Sequence, residues 1–208
     1  MFIRNQSYTS PAQHPESRAE TFRSLGLKAL FELLVTERKY SILDLGLASA
    51  ENIEFLSHYS SKLRVENLFE TLMRGKFFGL EDELVDEALV SRILAIPQGA
   101  RFDVVLSWDL VNYFKPAEFK ALIQYLEAFC AKGALFFAMC SIGKEIPATP
   151  TRFKIIDGET LLYTTESAEV RPCPRFAPRD LSLLMSGYRI QNSYILRNGM
   201  QEYVFVHD

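Results

Sequence analysis

Apolar positions along this chain alternate between two spacings. Phe102-Asp-Val-Val-Leu-Ser-Trp108 and Ala134-Leu-Phe-Phe-Ala-Met-Cys140 are short, nearly continuous apolar runs. Runs of that length and character fit strands buried on both faces of a parallel sheet. Ile42 to Leu45 reads the same way, and Lys62 to Leu68 is a plausible further strand with Leu63 and Val65 on one face. Between these runs the spacing becomes helical. Ser17-x-x-Glu20 is a capping-box pattern, and Phe22, Leu25, Ala29, Leu30, Leu33 and Leu34 follow it, so a helix is predicted to about Arg38. Ile53, Leu56 and Tyr59 mark one face of a second helix. Phe119, Leu122, Ile123, Leu126 and Phe129 line a third, opened by Pro116 and stopped by Gly133. Residues 69–97 are ambiguous: Leu84, Leu89, Val90, Ile93 and Leu94 fit a helix, or a helix and then a short strand.

The rhythm changes over residues 143–178, which read as an insertion or cap. Within it, Asp157-Gly158 separates two β-rich runs and predicts a surface hairpin over Phe153 to Tyr163. Arg171-Pro-Cys-Pro-Arg175 is a stiff extended link, and Pro178 to Met185 a short helix. Asn198-Gly199 between two further β-rich runs predicts a terminal antiparallel hairpin. Residues 1–16 are polar, contain Pro11 and Pro15, and read as an arm. The sum is an α/β chain, one domain over 1–208, with a doubly wound, mostly parallel sheet and a C-terminal hairpin.

Composition narrows the function classes. The chain has 208 residues, 48% apolar and 24% charged, with a net charge of −3. That balance gives no strong signal for nucleic acid, which calls for a basic excess. No apolar run approaches the ~18 residues of a membrane span. Three cysteines and three histidines lack metal-ligand or redox spacing, so no metal is expected and the thiols are read as reduced, in a cytoplasmic protein.

The candidate chemistry begins in Ser41-Ile-Leu-Asp-Leu-Gly-Leu-Ala-Ser-Ala-Glu51, a strand, a sharp turn and a helix start. Asp44 sits at a strand's carboxyl end, where doubly wound sheets bind ligands. Gly46 allows the turn a positive φ. Glu51 and Glu54 in the first helical turn repel phosphate, which argues against a dinucleotide at that helix N-terminus.

Four segments together resemble the class I S-adenosylmethionine-dependent methyltransferases: Ile42-Leu-Asp-Leu-Gly46, Glu66, Phe102-Asp-Val-Val-Leu-Ser-Trp-Asp109, and Gly133-Ala-Leu-Phe-Phe137. The resemblance covers about residues 20–208 and implies a seven-stranded sheet with S-adenosylmethionine as cofactor. It assigns Asp44 to the cofactor's amino-acid end, Gly46 and Ala48 to the turn against the cofactor, and Glu66 to its ribose hydroxyls, with Glu70 as rival. Ile96 falls beside the adenine, where an acidic or polar residue is usual, and Trp108 or Tyr113 supplies an aromatic wall. Asp109 and Tyr113 fall at the methyl-transfer site. Arg171 and Arg175, with Arg152 nearby, fall in the insertion that roofs the substrate. Ala48 and Ala50 stand where the first motif usually has glycine. The Asn/Asp-Pro-Pro-aromatic motif of base methyltransferases is absent after Ser107, so nucleobase methylation is not expected.

Two functions follow. One is an S-adenosylmethionine-dependent methyltransferase acting on a small molecule or a protein. The other is a catalytically inactive protein of the same fold that binds a partner, or its own copy, through the arm and the 153–163 hairpin. Ala48 and Ala50 favour the second.

Overall fold

The computed structural model describes residues 18–35, 37–74, 87–165 and 168–208. In chain order the elements are β1 (Arg18–Arg23), α1 (Leu25–Glu32), β2 (Tyr40–Asp44), α2 (Ala50–Ser57), β3 (Ser60–Val65), α3 (Leu68–Arg74), α4 (Glu87–Leu94) and β4 (Phe102–Trp108). They continue with α5 (Pro116–Glu127), β5 (Cys130–Ser141), β6 (Glu145–Pro147), β7 (Arg152–Asp157), β8 (Thr160–Thr165), β9 (Val170–Pro172), α6 (Pro178–Leu184), β10 (Tyr188–Ile195) and β11 (Met200–His207). The arm 1–16 and Leu84 lie outside the described residues.

The main sheet has the order β10-β11-β5-β4-β2-β3. β3, β2, β4 and β5 run parallel, and β11 is antiparallel to both β5 and β10. Side chains alternate across it. Leu43, Val105, Phe136 and Phe205 point to the face covered by α4, α5 and α6. Ile42, Val104, Leu106, Phe137 and Val204 point to the face covered by α1 and α2. Both faces are therefore dry, which explains the nearly continuous apolar strands.

Three expectations are corrected. The sheet has six strands among the described residues, not seven. The segment expected to hold an extra strand is α4 followed by irregular backbone through Arg101. Ala95 there has φ +42, which breaks an extended run, and Pro97 has no N–H for a ladder. The side chain of Arg64 fastens this segment to β3 instead, its Nη2 donating to the carbonyls of Leu94 (3.0 Å) and Ala95 (3.4 Å).

The first predicted helix divides. Residues 18–23 are β1, paired antiparallel with β8 from Arg18↔Thr165 to Arg23↔Thr160. α1 starts only at Leu25, capped by Ser24, whose Oγ accepts from Leu27 N at 3.0 Å. Glu202 adds a second cap, accepting from Ser24 Oγ (2.5 Å) and Gly26 N (2.7 Å). Gly133, finally, does not end α5. It has φ +79 inside β5, at a slip of register between Phe102↔Cys130 and Val104↔Leu135, so its role is that of a bulge.

Residues 145–172 build two small antiparallel pairings. β7 and β8 join β1 in a three-stranded sheet, and β6 pairs with β9. Asn52, buried on α2, locks the first of these in place. Its Nδ2 donates to Phe153 O at 2.9 Å and its Oδ1 accepts from Ile155 N at 2.8 Å. The loop before β7 is thereby held over the carboxyl ends of β2 and β4.

Candidate functional site

β2 has β3 on one side and β4 on the other, so the connections turn in opposite directions at its carboxyl end. Such a switch point opens a crevice by topology alone. Here the crevice measures about 270 Å³ and is bounded by Gly46, Asn67, Glu70, Trp108, Asp109 and the Thr149–Phe153 loop. It lies just under the roughly 300–1,000 Å³ usual for small-molecule sites.

Asp44, Gly46 and Trp108 form one packed unit at its floor. Asp44 Oδ1 accepts from Trp108 Nε1 at 2.7 Å and from Gly46 N at 2.9 Å. Burial drives the Asp44 carboxyl up to about 6, against the pull of those two donors. Gly46 does not have the expected positive φ. It is glycine because a Cβ there would stand 2.6 Å from the indole Cδ1. Trp108 itself has φ +52, a left-handed backbone that costs a non-glycine residue ~1–2 kcal/mol. Its ring stacks on Phe153 at 5.5 Å and 10°. The indole thus covers the cradle that Gly46 would otherwise open to a ligand.

Around this floor the other expected contacts are scattered. Ala48 and Ala50 are exposed and neither has a positive φ, so alanine in place of glycine brings no left-handed backbone strain at either position. Ser49 caps α2, its Oγ accepting from Asn52 N at 3.0 Å. Glu51 pairs with Lys154 of β7 at 2.6 Å. Glu66 pairs with Arg64 at 2.6 Å, whereas Glu70 borders the crevice, its carboxylate accepting from Asn67 Nδ2 at 2.6 Å. Ile96 is buried among the side chains beneath α4 and α5.

Asp109 is buried where β4 ends. Its Oδ2 accepts from Thr151 N at 3.1 Å, and desolvation drives its carboxyl up to about 7. Tyr113 lies deeper, its hydroxyl donating to Thr149 O at 2.9 Å. Burial pushes the phenol well above its ordinary range, with the Asp109 charge acting in the same direction. The guanidinium of Arg171 sits 5.8 Å over the Tyr113 ring. Arg175 is exposed, with φ +53, whereas Arg152 borders the crevice. Of the expected residues, then, Gly46, Glu70, Trp108, Asp109 and Arg152 line the crevice, with Asp44 bonded behind Gly46 and Trp108.

Asn67, Thr151 and Phe153 were not anticipated. Asn67 follows directly on Glu66 as N-terminal neighbour of α3, a usual capping position. The segment 149–153, which leads into β7, carries no local signal for its place. No cluster of three or more His, Cys, Asp or Glu suited to a metal occurs among the described residues. No helix among them is long and apolar enough to cross a membrane.

No family model and no curated sequence matches this chain. Solved structures do. An S-adenosylmethionine-dependent methyltransferase from Clostridium acetobutylicum aligns at TM-score 0.52 and 12% identity, over 86% of this chain and 87% of the other. An amino pentose methyltransferase from Micromonospora echinaspora involved in calicheamicin biosynthesis, bound to S-adenosylmethionine, aligns at TM-score 0.50 and 12% identity, over 88% and 89%. The chain has the class I S-adenosylmethionine-dependent methyltransferase-like fold.

Proposed function

We propose that this protein binds S-adenosylmethionine in the crevice at the ends of β2 and β4 and is a methyltransferase of a small-molecule or protein acceptor. One observation carries the reading. One buried carboxyl, Asp109, lines this crevice and a second, Asp44, lies behind the Gly46 and Trp108 that line it, and neither has a cationic partner among the described residues. A buried carboxylate without a counter-charge is costly, and a cationic ligand offsets that cost. S-adenosylmethionine brings an ammonium and a sulfonium and no phosphate, which also suits a crevice bordered by Glu70. Bound there, it supplies a methyl group on an electrophilic sulfonium. Asp44 holds the ammonium, Asn67 and Glu70 flank the ribose, and Asp109 orients the acceptor. The donor set fits the cofactor. The width at Gly46 fits it only with the Trp108 indole turned aside.

Trp108 also carries the second reading, a methyltransferase-fold protein without catalysis. In that case the indole fills the cradle permanently and the chain serves as a binding partner. Calorimetric titration with S-adenosylmethionine and S-adenosylhomocysteine separates the two. The first reading expects binding by the wild type, tighter binding by Trp108→Ala, and loss in Asp44→Ala. No heat at millimolar ligand from either the wild type or Trp108→Ala leaves only the second reading.

A further inference from the structure

Beyond the crevice, on the far side of Asp109, lies a second pocket of about 140 Å³. It shares Asp109, Thr151 and Phe153 with the crevice. Its remaining walls are largely apolar or aromatic, among them Phe22, Met139, Ile146, Tyr163 and Met200. The two cavities therefore meet at one buried carboxyl.

The hydrogen-bonding capacity left at the buried end of this pocket is one-sided. Asn112 is spent: its Nδ2 donates to Asp109 O (2.8 Å) and Met139 O (3.0 Å), and its Oδ1 accepts from Ser141 N (2.8 Å). The Tyr113 hydroxyl has given its proton to Thr149 O. What remains is acceptor capacity, on the Asp109 carboxylate and the Tyr113 oxygen. The other polar side chains of the lining, Thr151, Thr165 and Asn198, are neutral, and it holds no Lys, Arg or His, so an anion finds no counter-charge there. A group with several N–H donors and a positive charge finds two acceptors and a counter-ion. The volume sets the rest of the ligand, since an apolar cavity of roughly 150 Å³ holds a benzene ring.

We infer that this second pocket is an amine site, which takes a small aromatic or branched aliphatic amine with its nitrogen against Asp109 and its apolar group between Met139, Phe153 and Tyr163. As the acceptor site of a methyl transfer it rests on the S-adenosylmethionine reading above; as a binding site it stands on the pocket alone. Arg171, over the Tyr113 ring, lies outside the lining.

Benzylamine, benzyl alcohol and benzoate share one ring and differ in the group offered to Asp109. Calorimetry and thermal shift should show benzylamine binding, with the alcohol and the acid weaker by roughly tenfold or more, the usual worth of a charge-assisted hydrogen bond. Asp109→Asn should lose the preference for the amine. Met200→Trp, which fills the pocket from its half-buried rim, should lose benzylamine altogether while keeping a wild-type melting transition. Equal binding of amine and alcohol, or an amine preference that survives Asp109→Asn, overturns the inference. S-adenosylhomocysteine titrated into the same samples keeps the two readings apart. If it binds and benzylamine does not, only the amine site falls. If benzylamine binds and it does not, the amine site stands and the cofactor reading falls.

Discussion

Gly46 and Trp108 determine one another. The residue type at 46 was readable from the turn, but the cause was not. Sequence favoured a positive φ, whereas the reason is an indole brought in from the end of β4, a contact that no local window contains. The same holds for Asp44, whose acid was visible and whose hydrogen bond from Trp108 was not. Gly46→Ala puts a methyl 2.6 Å from the indole Cδ1. Overpacking of that kind costs about 1–3 kcal/mol, so its urea midpoint should fall. In a Trp108→Ala background the same substitution should cost much less, since the clashing ring is gone. A double-mutant cycle measures the difference, and equal costs in both backgrounds would disprove the packing account.

At the scale of elements, legibility followed the range of the forces. Strand β4 and helix α5 were readable because burial sets their pattern locally. The β7–β8 turn was readable because Asp157 accepts from Glu159 N within the turn itself. β1 was misread because its pairing partner, β8, lies more than a hundred residues later in the chain, and pairing overrode the helical spacing that Phe22 and Leu25 happen to share. Asn52 was missed for a related reason: an Asn inside an amphipathic helix looks like surface, yet this one is buried at 2% exposure. It replaces a strand partner for β7 with one side chain. Asn52→Ala leaves Ile155 N and Phe153 O without partners, and each orphaned buried group costs about 1–3 kcal/mol. Hydrogen exchange at the Ile155 amide should accelerate strongly in this variant, while amides in β4 and β5 slow or speed only with global stability. Unchanged exchange at Ile155 would show that the small sheet is held by other means.

For the whole molecule, buried carboxyls shape the response to pH. Desolvation raises Asp44 to about 6 and Asp109 to about 7, both above the ~3.9 of an unfolded Asp. The native state therefore binds more protons than the unfolded chain between about pH 4 and 7, and stability falls as pH rises through that window. Melting temperature should decline from pH 5 to pH 8. Asp109→Asn keeps an oxygen for Thr151 N and removes one titration, so its decline should be shallower; a slope equal to the wild type's would contradict the assignment. A cationic ligand at either carboxyl should flatten the slope as well. The six-stranded sheet has its own consequence. On the outer side of β3 no strand pairs among the described residues. Such an edge is a template for another chain. Arg64 occupies it, its guanidinium spread between Glu66 and two carbonyls, its Nε buried without a partner. That arginine places a charge on the open edge as well as holding a loop. Arg64→Leu should leave the fold intact and show itself in light scattering, as a concentration-dependent association stronger than that of the wild type.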